Sequence, residues 1–170
     1  MCYYVSDDPA KLGQDKKKPG AYVFRPMDPQ PVLILDYFEA RALKTDIVQE
    51  LHIKYSTYAG VALKLYKGLP TIEVDWVVGP IPMDDGYGKD VFIRYSTNLI
   101  NNGVFFTDSN GRQTIKRIRD TRATYKPANI DNIAGNFYPV TSKLYIEDLQ
   151  KNIRLSVFTD RAQGGTCLID

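Results

Sequence analysis

The sequence predicts an all-β protein, an antiparallel β-sandwich. Three observations lead there. Between Ile47 and Val78, three successive segments alternate apolar and polar residues with a period of two, the pattern of strands with one buried face. Phe105-Phe106-Thr107-Asp108-Ser109-Asn110-Gly111-Arg112 runs an apolar, strand-like end into Asn-Gly, a strong short-range hairpin signal. Short β-prone runs recur between Gly/Pro turns and few stretches carry a helical period. This predicts two sheets packed face to face from about eight to ten strands.

In chain order, Ser6 to Lys18 combine Asp, Pro and Gly with Lys16-Lys17-Lys18 and hold too little apolar area to offset the entropy of ordering. Residues 1–19 are therefore expected as a flexible loop, and residues 20–170 as the sandwich domain. Tyr22 to Arg25 and Val32 to Phe38 read as short strands punctuated by Pro26, Pro29 and Pro31. Phe38 to Thr45 has the best helical periodicity in the chain.

The alternation follows. Ile47, Leu51, Ile53 and Tyr55 fall opposite Glu50, His52 and Lys54; Val61, Leu63 and Leu65 point inward from Tyr58 to Lys67; Ile72, Val74, Trp76 and Val78 fall opposite Thr71, Glu73 and Asp75. These segments predict an antiparallel sheet with one wet face. Gly79-Pro80-Ile81-Pro82 then breaks the ladder, because proline lacks the donor that a central strand needs, and Asp84-Asp85-Gly86 supplies turn chemistry. Lys89 to Ser96, Gly103 to Thr107, Phe137 to Val140, Lys143 to Ile146 and Ile153 to Thr159 complete the predicted strands. Ala128 to Ile133 is the place for a turn or two of helix.

Composition bounds the function. At 170 residues, 44% hydrophobic and 25% charged, the chain suits one ordinary soluble domain with a core. A formal charge of +2 gives no general electrostatic case for nucleic acid or an anionic membrane. Arg112, Lys116, Arg117, Arg119 and Arg122 do cluster, but Asp108, Asp120 and Asp131 flank them, so they read as a solvated or salt-bridged strand face. Neither a nucleic-acid nor a membrane partner is expected. Cys2 and Cys167 lie near opposite ends and do not make a disulfide framework, although a single bridge is left open. No stretch has the length of a membrane span, the start lacks the layout of a signal peptide, and no Asn-x-Ser/Thr sequon occurs.

The octet at Phe105–Arg112 has three companions: Gly20-Ala21-Tyr22-Val23-Phe24-Arg25-Pro26, Gly135-Asn136-Phe137-Tyr138-Pro139-Val140 and Thr159-Asp160-Arg161-Ala162-Gln163-Gly164-Gly165. In this order, and at about this spacing, the four strings resemble the region after the catalytic core of the retaining, zinc-dependent α-mannosidases of glycoside hydrolase family 38, the lysosomal acid branch above all. Asp75-Trp76-Val77-Val78-Gly79-Pro80-Ile81-Pro82 and Gly86-Tyr87-Gly88-Lys89-Asp90-Val91 carry the resemblance across nearly all of residues 20–170. A single string would be weak; their ordered set is specific.

The resemblance implies a fragment of an enzyme that hydrolyses terminal α-linked mannose in glycoprotein glycans, with partners in a mannose-containing glycan and the upstream catalytic domain. It also implies a lysosomal or secretory location, and a missing signal that truncation explains. It further implies that the chain stops where another strand follows, leaving an unpaired edge prone to association. Zinc is the implied cofactor, with its ligands outside this chain, because a metal site needs three or four protein ligands and the sequence has one histidine, His52, on the polar side of its strand. Retaining hydrolysis needs two carboxyl groups about 5 to 5.5 Å apart. Asp84, Asp85, Asp108, Glu147, Asp148 and Asp160 are available, but each sits beside a turn residue or strand end, where capping explains it. No catalytic residue is assigned.

Tyr22 is the one substrate-binding candidate. It matches the tyrosine of the family's Gly-Ala-Tyr-x-Phe-x-Pro string, whose hydroxyl faces the sugar bound at the zinc; the alternative is an aromatic packed in a strand. Phe106 to Arg112 and Phe137 to Pro139 are explained by turn chemistry and strand packing, and Arg161 by an ion pair that fixes its loop. The rival to the enzyme reading is a stand-alone β-sandwich binding carbohydrate or protein through its exposed tyrosines. A degenerate relative of the enzyme is a third reading.

Overall fold

The computed structural model describes residues 1–7, 24–126, 131 and 133–167. Among them lie thirteen strands: β1 (Cys2–Val5), β2 (Val32–Leu33), β3 (Glu39–Lys44), β4 (Val48–Lys54), β5 (Ala59–Tyr66), β6 (Ile72–Val78), β7 (Lys89–Phe92), β8 (Val104–Ser109), β9 (Gln113–Ile118), β10 (Tyr138–Val140), β11 (Lys143–Asp148), β12 (Ile153–Phe158) and β13 (Gln163–Gly165). Every pairing is antiparallel and the only helical element described is a single 3-10 turn, Ala134–Asn136. The protein is all-β, built from antiparallel sheets as in a β-sandwich. The strands form four sheets, where the pattern had suggested two with fewer strands. The described residues gather into two compact units, one of residues 1–7 and 26–95, the other of residues 24–25 and 96–167 where described.

In the first unit, the sheet β3-β4-β5-β6 realises the alternation residue by residue. Ala42, Leu51, Leu63 and Val74 lie in one cross-strand row, and Ala40, Ile53, Val61 and Trp76 in another on the same face. The opposite face carries Arg41, His52, Ala62 and Asp75 in register, and Lys64 Nζ donates to Glu73 Oε1 at 3.1 Å and also to Asp75. The wet face is thus the predicted one. The apolar face is not sealed: Leu51, Leu65, Ile72 and Trp76 all stay exposed.

Within Phe38 to Thr45, Glu39–Lys44 is a strand, not a helix. Alanine-rich Glu39–Lys44 has good helix propensity, but residues 39–44 pair in full with Lys54–Gln49. The Thr45 hydroxyl closes the turn, accepting N–H bonds from Val48 at 3.0 Å and Ile47 at 3.3 Å. Cross-strand hydrogen bonding outweighs a propensity difference of about 0.5 kcal/mol per residue. The expected strand at Tyr22 to Arg25 lies partly outside the described residues, as does most of the Ala128 to Ile133 helix; the 3-10 turn falls just after it. The first unit also holds β2-β1-β7, where Tyr4 is buried and stacks on Phe92 with ring centroids 4.8 Å apart.

The second unit centres on the sheet β12-β11-β8-β9, whose inner face buries Phe105 and Thr107, with β10 and β13 paired beside it. Here the double glycine of the Gln163-Gly164-Gly165 strand has a steric cause. A Cβ on Gly164 would overlap the Phe137 ring, and one on Gly165 would come within 3.0 Å of Val140 Cγ2. The Phe137 ring takes the space that a side chain at position 164 would need. Gly164→Ala should therefore destabilise the protein by about 1 to 3 kcal/mol in urea titrations, through overpacking. The double variant with Phe137→Ala should lose less than the sum of the two single variants. Additive losses would show that the ring does not use that space.

Candidate functional site

The strings Phe105–Arg112 and Gly135–Val140 meet in the second unit. Strand β8 turns through Asn110 and Gly111, with φ of 51° and 69°, into β9, and Arg112 N donates to Ser109 O at 3.0 Å. Asn-Gly supplies the two positive φ values that a tight hairpin needs. Asp108, 3% exposed, lies just before the turn. Its Oδ2 accepts Gly111 N–H at 2.7 Å, and its Oδ1 accepts Thr141, Ser142 and Lys143 N–H at 2.9, 3.0 and 3.2 Å. The bond from Ser142 most of all, then those from Gly111, Lys143 and Thr141, hold its carboxyl far below the usual carboxylate range, against the opposing effect of burial.

On the inner side of this hairpin, the Tyr138 ring is boxed. Phe105 meets it edge-on at 5.7 Å, the Arg117 guanidinium lies 4.2 Å from its centroid, and Arg122 lies at 5.4 Å. Arg117 Nε donates to Thr107 Oγ1 at 3.2 Å, and Arg122 donates to the Gly135 carbonyl. Asp120 N–H donates to Asn136 Oδ1 at 2.9 Å and Asn136 Nδ2 returns a bond to Asp120 Oδ1 at 2.7 Å. The basic stretch is thus largely absorbed by aromatic faces and local acceptors. The box is donor-rich, which suits binding or support, and the one carboxylate in its network, Asp120, is held by Asn136.

The other carboxylates serve structure too. Asp85 binds Lys89 Nζ at 2.8 Å and caps Tyr87 N–H at 3.1 Å, contacts that lower its pKa in that order. Asp148 is buried and accepts N–H bonds from Ile100, Gln150 and Lys151 at 3.0, 3.1 and 3.0 Å. Glu147 pairs with Arg154 Nε at 2.8 Å, and Asp160 is exposed. His52 is exposed and pairs with Glu50 at 2.7 Å. No three His, Cys, Asp or Glu side chains among the described residues come together as a metal site, so these residues do not fit a zinc ion. Tyr22 lies outside the described residues. Sequence reasoning missed the reach of Asp108 to residues 141–143 and the boxing of Tyr138; the signal for the first was an acid before Asn-Gly, but three of its donors lie more than thirty residues away in sequence.

The family model for the C-terminal domain of glycosyl hydrolases family 38 matches residues 6–169. The chain belongs to this family. Lysosomal alpha-mannosidase of Felis catus is 44% identical over 151 residues, which is 89% of this chain and 15% of that protein, and the Homo sapiens protein of the same name is 43% identical over the same shares. Alpha-mannosidase of Canavalia ensiformis is 37% identical over 92% of this chain and 16% of its own length. This family 38 domain therefore spans about one-sixth of the length of the curated relatives it matches, and the boxed Tyr138 and the Asp108 turn lie within the matched region.

Two outcomes follow from the carboxylates. Asp108→Ala should cost at least about 2 kcal/mol in urea titrations at neutral pH, since four N–H groups lose their acceptor. Because its folded pKa is depressed, this contribution is present above the unfolded value near pH 4 and is lost as pH falls through the folded value. A variant as stable as the parent at pH 7 would refute it. Asp90 has the opposite sign, burial alone raising its pKa. Asp90→Asn should raise Tm at pH 7, with the gain vanishing below pH 4, and a gain unchanged in acid would rule out desolvation as its cause.

Proposed function

We propose that this chain is the supporting β domain of a retaining, zinc-dependent α-mannosidase that hydrolyses terminal α-linked mannose in glycoprotein glycans. The match to the family over residues 6–169, with relatives named as α-mannosidases, carries the reading. The nucleophile, the acid/base carboxyl and the zinc ligands are assigned to the rest of such an enzyme, since the carboxylates Asp85, Asp108, Glu147 and Asp148 are held in turns and ion pairs. Tyr22 is assigned to the sugar, its phenol hydroxyl bonding a mannose hydroxyl near the transition state. The exposed apolar face at Leu51, Leu65, Ile72 and Trp76 is assigned to contact with the remainder of the same enzyme, which the length of the relatives supplies. A lysosomal or secretory setting accompanies this reading.

The test is hydrolysis of an aryl α-mannoside in the presence of zinc. The 170-residue chain alone should be inactive, and the longer reading frame containing it should turn over with zinc dependence. Turnover by the short chain, or a locus that encodes no metal-ligating sequence beside it, would reject the assignment; the second outcome favours a binding module. In the active enzyme, Tyr22→Phe should lower kcat/KM by about 1 to 3 kcal/mol of transition-state stabilisation while leaving Tm unchanged. Unaltered kinetics would remove Tyr22 from the site.

A further inference from the structure

Asn-Gly is the dipeptide most prone to deamidation, because glycine places no side chain between its amide nitrogen and the asparagine carboxamide. The Gly nitrogen loses its proton to base and attacks the Asn Cγ; the Cγ–Nδ2 bond breaks and ammonia leaves. Water then opens the succinimide to aspartate or isoaspartate, so the net change is asparagine plus water to acid plus ammonia. The chain holds two such pairs in one backbone conformation: Asn102-Gly103, with φ of 49° and 72°, and Asn110-Gly111, with φ of 51° and 69°. Their surroundings differ. Gly103 is buried, whereas Asn110 and Gly111 are both exposed at a hairpin tip, where base and water have access.

What distinguishes Gly111 is its N–H, bonded at 2.7 Å to Asp108 Oδ2. We propose that Asp108 guards Asn110 against succinimide formation, so that Asn110 is the latent deamidation site of this hairpin. An ionised acceptor makes a strong hydrogen bond to the neutral amide. The same charge opposes removal of the amide proton, since it would leave two anions in contact. The guard cannot swing away, because its other oxygen is held by Thr141, Ser142 and Lys143. It also stays ionised in acid, since those bonds keep its carboxyl deprotonated. Protection therefore rests on one side chain at an otherwise open turn.

The experiment incubates the purified protein at mildly alkaline pH and follows isoaspartate and the mass gain at the two Asn-Gly peptides separately. In the native protein Asn110 should react at least about tenfold more slowly than in denaturant, the factor that one unit of amide acidity carries. Asp108→Ala should accelerate Asn110 by a similar factor and leave Asn102 unchanged. If both asparagines accelerate together, the variant has only loosened the fold and the proposal fails; it fails equally if neither changes. Should that variant not fold, hydrogen exchange at the Gly111 amide of the parent protein decides. Slowed exchange at this exposed turn supports the guard, and exchange at the free-peptide rate overturns it.

Discussion

The second unit depends on one carboxylate that collects four backbone donors. Asp108 ties its own hairpin turn, through Gly111, to the connection between β10 and β11, through Thr141, Ser142 and Lys143. A buried anion without partners would cost many times what a surface one does, and a turn with three unpaired N–H groups would be nearly as unfavourable. Each defect cancels the other. The register of β8 against β11, with Tyr145 opposite Phe106 and Leu144 opposite Thr107, is then fixed from the loop side as well as by the ladder. The same register sets Phe106 and Tyr145 in a stack at 4.5 Å, with the Arg154 guanidinium 4.4 Å over the tyrosine. The Tyr145 ring is thereby held by a neighbour from each of the two strands that flank β11.

Elements whose information is local were legible in the sequence. The rows Leu51, Leu63, Val74 and Ile53, Val61, Trp76 follow directly from period-two patterning, because register flips every side chain if it slips by one. The Asn110-Gly111 turn was legible for the same reason, its two positive φ values being what that dipeptide tolerates. Elements that depend on distant partners were not. Glu39–Lys44 reads as helix in isolation and becomes a strand because β4 offers a full ladder. Cys2–Val5 has too few residues to show a pattern; its place between β2 and β7 is set by pairing with Lys89–Phe92.

The candidate site divides along the same line. That the carboxylates beside turns serve as caps was readable from neighbouring residues, and Asp85 with Tyr87 and Asp148 with Gln150 bear it out. The basic stretch read as a solvated or paired strand face, and Arg119 with Asp120 fits that reading. Arg117 and Arg122 have a different neighbour, Tyr138, which arrives from a string sixteen or more residues further on. A sequence window has no means of bringing that ring to both guanidinium groups; Tyr138 lies on β10, which pairs with β13, and reaches arginines that belong to β9 and the segment after it.

The β3–β6 sheet has the clearest link from composition to role. Its polar face carries ion pairs, with Lys64 bridging Glu73 and Asp75 and Glu50 paired with His52, beside the exposed Leu43 and Val77. Its apolar face leaves Leu51, Leu65, Ile72 and Trp76 in contact with solvent, and water is a poor environment for a surface of that kind, at roughly 25 cal/mol for each Å² exposed. Under the proposed function, that apolar face is where the rest of the enzyme would pack, while acids such as Asp85, Asp108 and Asp148 are held in the chain's own turns.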